Sequence, residues 1–373
     1  MKQIVSQKDL ESINTMLFEL TCLRRWSEVT VEGGKYTELS KQALNCMIAY
    51  IWSAEIQHAG YTVDLTWFPK IAILRGFTKD YQCDVPEANL DIIFHLGNVP
   101  KESFDEMIQQ QIKKNVSKSF YDLLQVDSNL FEVRIYRAAT KIATLLELEE
   151  IKNGISRKDY NLKKKQLETA IHSFSDLPGF EQMVSEKYLG IFRDFSKLRN
   201  RIRWAKHPNI IKCSVLGHHF DVAVYAYLMS LEVNPLDEDL ATRYFFMGVF
   251  HDFPESWTGD MPSPVKDSLP GLRKATELFE NQVMQENVYN HLPDYQVKSI
   301  RHTMLEDEEN ASLKKFLKKS DNFAAFVECW REIDAGSNHS YYFQVSKNSY
   351  GRKEELPHNF RLLLEHLYYG VYH

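Results

Sequence analysis

Apolar residues that return at every third and fourth position are the feature that most limits what this chain can become. Within residues 214–231, Val215, Phe220, Val222, Ala223, Tyr225, Ala226 and Met229 keep that rhythm, which lines one face of a helix with 3.6 residues per turn. Residues 140–148, 161–174, 241–250, 313–333 and 359–368 read the same way. Alternating strand patterns joined by two-residue turns are nearly absent, and only residues 61–65 and 340–345 carry any β character. An all-α fold is expected, with the polar chemistry on helix ends and loops.

Length divides that fold. A chain of 373 residues exceeds the roughly 250–300 that one apolar core usually serves, so two domains are expected, 1–180 and 181–373. The boundary falls at residues 173–179, a loop-like stretch with one proline and one glycine. A content of 44% hydrophobic and 26% charged residues is that of an ordinary globular protein and argues against disorder. The net charge of −6 offers no overall attraction to a nucleic-acid backbone, although a small anion could still meet a local positive site. No apolar run reaches the length of a membrane span and the start lacks a signal-peptide core, so no membrane contact and a cytoplasmic location are expected. The five cysteines, Cys22, Cys46, Cys83, Cys213 and Cys329, are scattered and read as free thiols.

The two halves also echo each other. Arg25-Trp26 recurs as Arg203-Trp204, and Glu38 with Ala43 as His218 with Ala223. Phe77-Thr78-Lys79 recurs as Phe250-His251-Asp252, Asp84-Val85-Pro86 as Asp260-Met261-Pro262, and Glu150-Ile151 with Gly154 as Glu332-Ile333 with Gly336. The matches stay in chain order at offsets near 180 residues, as a tandem duplication requires.

His218, His251, Asp252 and Asp321 form the candidate chemistry, because imidazole nitrogens and carboxylate oxygens together suit a first-row divalent ion. His218 lies in the strongest helix pattern, His251-Asp252 ends the apolar run 244–250, and Asp321 opens the apolar face of Phe323, Ala324, Phe326 and Val327. Burying such groups unpaired is costly, and a shared ion removes the cost for all four. His207, His219 and His302 are further histidines for which outer or surface positions are expected.

The stretch from His251 to Lys266, HDFPESWTGDMPSPVK, resembles the HD-domain phosphohydrolases, and most closely their YfbR-like 5'-deoxynucleotidase branch. The resemblance covers most of residues 197–338. It includes His218 with Ala223 five residues on, the His251-Asp252 pair with Glu255, the run Thr258 to Lys266, Asp321 opening a helix that ends in Ala335-Gly336-Ser337-Asn338, and Arg203-Trp204 fifteen residues before His218. His219 and Phe253-Pro254 depart from the family pattern.

The resemblance implies one divalent transition metal (manganese, cobalt, iron or zinc) held by His218, His251, Asp252 and Asp321. It implies attack of a metal-bound water on a nucleoside 5'-monophosphate, with Glu255 positioning that water or passing a proton. Arg203 would bind phosphate, Trp204 sugar or base, and Asp260 sugar hydroxyls. In the first half Glu38 would stand for His218, Thr78-Lys79 for His251-Asp252 and Ala139 for Asp321, so that half is expected to be a copy without metal ligands. Members of the family are commonly homodimeric, and two fused copies related by an approximate two-fold would mimic that dimer in a monomer. Phosphodiester or nucleoside triphosphate hydrolysis, or a non-catalytic nucleotide-sensing role, are the competing expectations.

Overall fold

The computed structural model describes residues 4–29, 36–83, 85, 87–259, 261, 263–304 and 311–372. In the first half the helices are α1 (Gln7–Cys22), α2 (Glu38–His58), α3 (Trp67–Gln82), α4 (Glu87–Gly97), α5 (Lys101–Asn115), α6 (Lys118–Leu123), α7 (Phe131–Glu150) and α8 (Arg157–His172). There follow α9 (Phe180–Met183), α10 (Glu186–Ser196), α11 (Val215–Val233), α12 (Glu238–Phe250), α13 (Glu255–Thr258) and α14 (Ser263–Lys266). The chain closes with α15 (Leu272–Asn287), α16 (Asp294–Met304), α17 (Ala311–Asp334), α18 (Ser340–Tyr350) and α19 (His358–Tyr372). The all-α expectation holds among the described residues, where only two isolated β-bridges occur. Residues 340–345, given some β character above, open α18 instead, and residues 61–65 form no strand. His339 caps α18 by accepting from the Tyr341 N–H, a local bond that favours the helical start.

The long helices begin where side chains satisfy their first amides. Ser6 and Asp9 form a reciprocal capping box on α1. Thr37 caps α2 through the Ser40 N–H, Ser214 caps α11 through Gly217, and Asp237 caps α12 through Leu240. The helices α2 and α11 are buried on nearly every face, which marks them as central rather than amphipathic surface elements.

These two helices pack on one another, and Ser40 Oγ meets Ser214 Oγ at 2.8 Å. Each also reaches across to the other's neighbour, α2 to α12 and α11 to α3. Tyr50 of α2 lies 4.6 Å from the Phe246 ring and 5.4 Å from Phe250. Consequently the main apolar core draws residues from both halves without a break. The stretch 173–179 is itself docked: Trp52 donates to the Pro178 carbonyl at 2.9 Å, and a Cβ on Gly179 (φ +75) would meet Glu55.

The entrances to α2 and α11 share one backbone design. Arg24 bridges Thr37 and Ile202 bridges Ser214, both antiparallel. Arg25 N–H donates to the Tyr36 carbonyl and Arg203 N–H to that of Cys213. Trp26 and Trp204 both adopt positive φ, 60° and 58°, a conformation rare for bulky residues and retained only where surroundings impose it. Their indole N–H groups donate to Glu147 (3.0 Å) and Glu328 (2.9 Å), on α7 and α17.

This register corrects two sequence pairings. Counted from the caps Thr37 and Ser214, the residue that corresponds to His218 is Lys41, not Glu38. Counted from Glu147 and Glu328, Thr140 rather than Ala139 corresponds to Asp321. The sequence echo missed both because the connecting loops differ in length and neither Lys41 nor Thr140 matches its counterpart in residue type.

Candidate metal centre

Close helix contact builds the site. A Cβ on Gly248 would fall 2.5 Å from Ala223 Cα, so α11 and α12 touch backbone to backbone and bring His218 and His251 within reach of one another. Their rings lie 5.5 Å apart. The small residue five positions after His218 is thereby explained by packing.

Ligand-type atoms of His218, His251 and Asp321 lie within 4.8 Å of one another, and so do those of His219, His251 and Asp252. The four residues singled out from the sequence thus meet around His251, with Asp252 in the second group rather than the first. His219 belongs to that second group, although an outer position was expected for it. By contrast, His207 stacks on Tyr341 at 3.8 Å and His302 lies beside Arg243. Asp260 falls outside the described residues.

Each histidine is oriented through its other nitrogen. His218 Nδ1 lies 2.8 Å from Glu328 Oε1, His251 Nδ1 2.7 Å from the Gly248 carbonyl and His219 Nδ1 2.9 Å from the Val249 carbonyl. An N–H donated there leaves Nε2 with its lone pair toward the cluster, the usual arrangement of metal-ligating imidazoles. His218 Nε2 indeed faces Asp321 Oδ1 at 3.1 Å, and His251 Nε2 faces Asp252 Oδ2 at 3.1 Å. The donor set therefore fits a divalent ion.

Electrostatics agrees with that chemistry. Burial and Arg203 press the His218 imidazolium down, but Glu328 and Asp321 outweigh them and raise its pKa to about 9. Against the burial that would raise it, His251 and His219 hold Asp252 well below the usual carboxylate range. Burial likewise opposes ionisation of Asp321, yet His218 and Lys318 keep it well below that range. The carboxylates are thus ionised, and His218 can exchange its proton for an ion, so metal capture there would release a proton.

Two contributors were not read from the sequence. Glu328, buried and seven residues beyond Asp321 on α17, receives His218, the Trp204 indole and Arg203 Nε at 3.3 Å. Despite burial, Arg203 and His218 hold its pKa near 2. The signal available was that two-turn spacing, which puts Asp321 and Glu328 on one face. Lys318, within the basic run of Lys314, Lys315, Lys318 and Lys319, pairs with Asp321 at the rim. Arg203 and Trp204 hold the frame: the guanidinium lies over the indole at 5.0 Å, and the indole packs against Cys329, Ile333 and Tyr342. Glu255 opens α13 and is buried, while Arg201 reaches the Ser256 carbonyl at 3.3 Å.

Residues 190–359 match the family model described as 5'-deoxynucleotidase YfbR-like. A 5'-deoxynucleotidase of Photorhabdus laumondii is 26% identical over 159 residues, covering 42% of this chain and 79% of the relative. The 5'-deoxynucleotidase YfbR of Shigella boydii is 29% identical over 152 residues, covering 39% and 74%. A 5'-deoxynucleotidase of Yersinia pestis is 28% identical over 149 residues, covering 39% and 75%. Among the described residues no helix is long and apolar enough to cross a membrane. With its histidines, carboxylates and close-packed α11–α12 pair in place, the segment 190–359 of this chain is similar to the YfbR-like 5'-deoxynucleotidases.

Proposed function

We propose that this segment is a metal-dependent phosphohydrolase that releases phosphate from nucleoside 5'-monophosphates, with a preference for the deoxy sugar and one working site per chain. The observation that carries the reading is the convergence of His218, His251 and Asp321, with Asp252 adjoining, on oriented Nε2 atoms and ionised carboxylates. A divalent ion held by these four residues would supply Lewis-acid chemistry for activating water near neutral pH and offsetting phosphoryl charge. Glu255 orients the attacking water and passes a proton to the 5'-oxygen as the P–O bond breaks. Lys318 at the rim and Arg203 and Arg201 behind it supply the positive field that an acidic protein needs for an anionic substrate. Asp260 is assigned the sugar hydroxyls, and Trp204 acts by fixing Arg203 and Glu328.

The first half is, in the same proposal, a degenerate copy. Paired positive-φ tryptophans, paired bridges and the reciprocal contacts of α2 with α12 and α11 with α3 support duplication, the pattern of an isologous dimer fused into one chain. Such a chain sediments as a monomer; a stable dimer in solution would remove the pseudo-dimer reading.

The decisive assay measures phosphate release from nucleoside mono-, di- and triphosphates and from a phosphodiester, with manganese, cobalt or zinc added. Monophosphate turnover is expected, and Asp252→Ala should abolish both turnover and metal retention. Unchanged turnover in that variant would overturn the site, and hydrolysis confined to diesters or triphosphates would overturn the substrate class.

A further inference from the structure

One sizeable cavity lies away from the histidine cluster. It lies in the first half among α3, α4, α5 and α7 and measures about 690 Å³, inside the roughly 300–1,000 Å³ typical of small-molecule sites. Thr78 and Thr140, which occupy the places of His251 and Asp321, both border it. It therefore lies at the positions that the echo between the halves matches to the second half's cluster.

Its wall has a chemistry of its own. Arg75, Lys101, Arg137 and Lys141 border it, against the carboxylates Asp91 and Asp105. Lys101 pairs with Asp91 at 3.7 Å, so the described lining keeps a positive excess in a chain of net charge −6. Phe94 and Phe104, with ring centroids 5.2 Å apart, supply an aromatic side. The Gln109 side-chain oxygen is buried at this wall and has no hydrogen-bond partner among the described residues. A buried acceptor left so is costly, and a ligand N–H or hydroxyl would satisfy it. No imidazole appears in the described lining.

We infer that this cavity binds a nucleoside 5'-phosphate without hydrolysing it, the phosphate on Arg137 and Lys141 and the base between the phenylalanines and Gln109. Cations attract the anion, the aromatic rings reward a flat base, and the absence of a metal-ligand set at Thr78 and Thr140 leaves the ester intact. This rests on the cavity and stands whether or not the second half turns nucleotides over.

The test uses the full chain carrying Asp252→Ala, freed of metal with a chelator, titrated calorimetrically with deoxyadenosine 5'-monophosphate and with ATP. One site is expected for at least one of these probes, with deoxyadenosine alone and inorganic phosphate both weaker. Adding Arg137→Glu and Lys141→Glu should weaken it at least about tenfold, the order expected from lost charge-assisted hydrogen bonds, while Arg203→Ala should leave it intact. Hydrogen exchange on the chain with its cavity residues unaltered gives a second readout, because bound nucleotide should protect amides of α5 and α7. No binding of either probe, binding that survives the double charge reversal, binding lost only with Arg203, or protection confined to α11 and α17 would each overturn the inference.

Discussion

Two buried glutamates in matching places, Glu147 on α7 and Glu328 on α17, receive the same tryptophan and arginine partners and yet are neutralised differently. Around Glu328 the third partner is His218, whose free nitrogen faces Asp321. Around Glu147 the corresponding position is Lys41, fully buried and in the field of Glu38 and Glu147, with Arg199 also paired to Glu147. Arg25 holds Glu38 at 2.8 Å, and despite burial it and Lys41 keep the Glu38 pKa near 2. The comparison shows one backbone frame solving one problem, a buried carboxylate, in two ways. Covalent cations close the first site, whereas exchangeable imidazoles leave the second open to an ion.

The largest expected effect comes from weakening that second solution. Glu328→Gln removes the negative charge that orients His218, so metal affinity should fall about 10- to 100-fold, read by competition with a chromogenic chelator. Unchanged affinity would mean that Glu328 matters only to the frame.

Next comes the close backbone contact of α11 with α12. Gly248→Ala forces a methyl against the Ala223 backbone, and overpacking of this kind costs about 1–3 kcal/mol. Urea denaturation should show that loss together with weaker metal binding, whereas Gly76→Ala, whose neighbour is the flexible Met16 side chain, should cost less and leave metal binding alone.

Lys41 offers a test through pH. Burial lowers its pKa from 10.5 to about 7, so between those values the unfolded chain holds a proton that the folded chain has released. Stability from this group therefore rises as pH climbs from about 7 to 10.5 and is lowest on the acid side. Lys41→Met should flatten that rise and be neutral or stabilising at pH 7, within the roughly 1–4 kcal/mol seen when buried ionic groups become apolar. Marked destabilisation would show that the ammonium is needed by Glu38 and Glu147. The smallest effect belongs to Thr78→Ala with Lys79→Ala, which should leave phosphate release within about twofold; a large loss would make the first half part of the catalytic machinery.

Much of this was visible before any coordinates. The helices over 214–231, 241–250 and 313–333 follow from apolar spacing and appear as α11, α12 and α17. The adjacent pair His251-Asp252 and the distant His218 and Asp321 were legible because their residue types have few structural uses in combination. Glu328 was not, since a glutamate in a helix ordinarily faces water. Lys318 was hidden in a basic run for the same reason. Lys41 was masked by Glu38, three residues away and closer to a ligand in chemical type.

The sequence by itself determined an all-helical chain, two echoing halves and the candidate donors of a metal site, because periodicity and residue chemistry are local properties. Only the tertiary structure decided that the two halves share a continuous core, that Lys41 follows its helix cap at the distance at which His218 follows its own, and that a cavity lies beside Thr78 and Thr140. Those facts depend on which helix faces meet, and contacts between residues far apart in the chain leave no spacing for a single sequence to display.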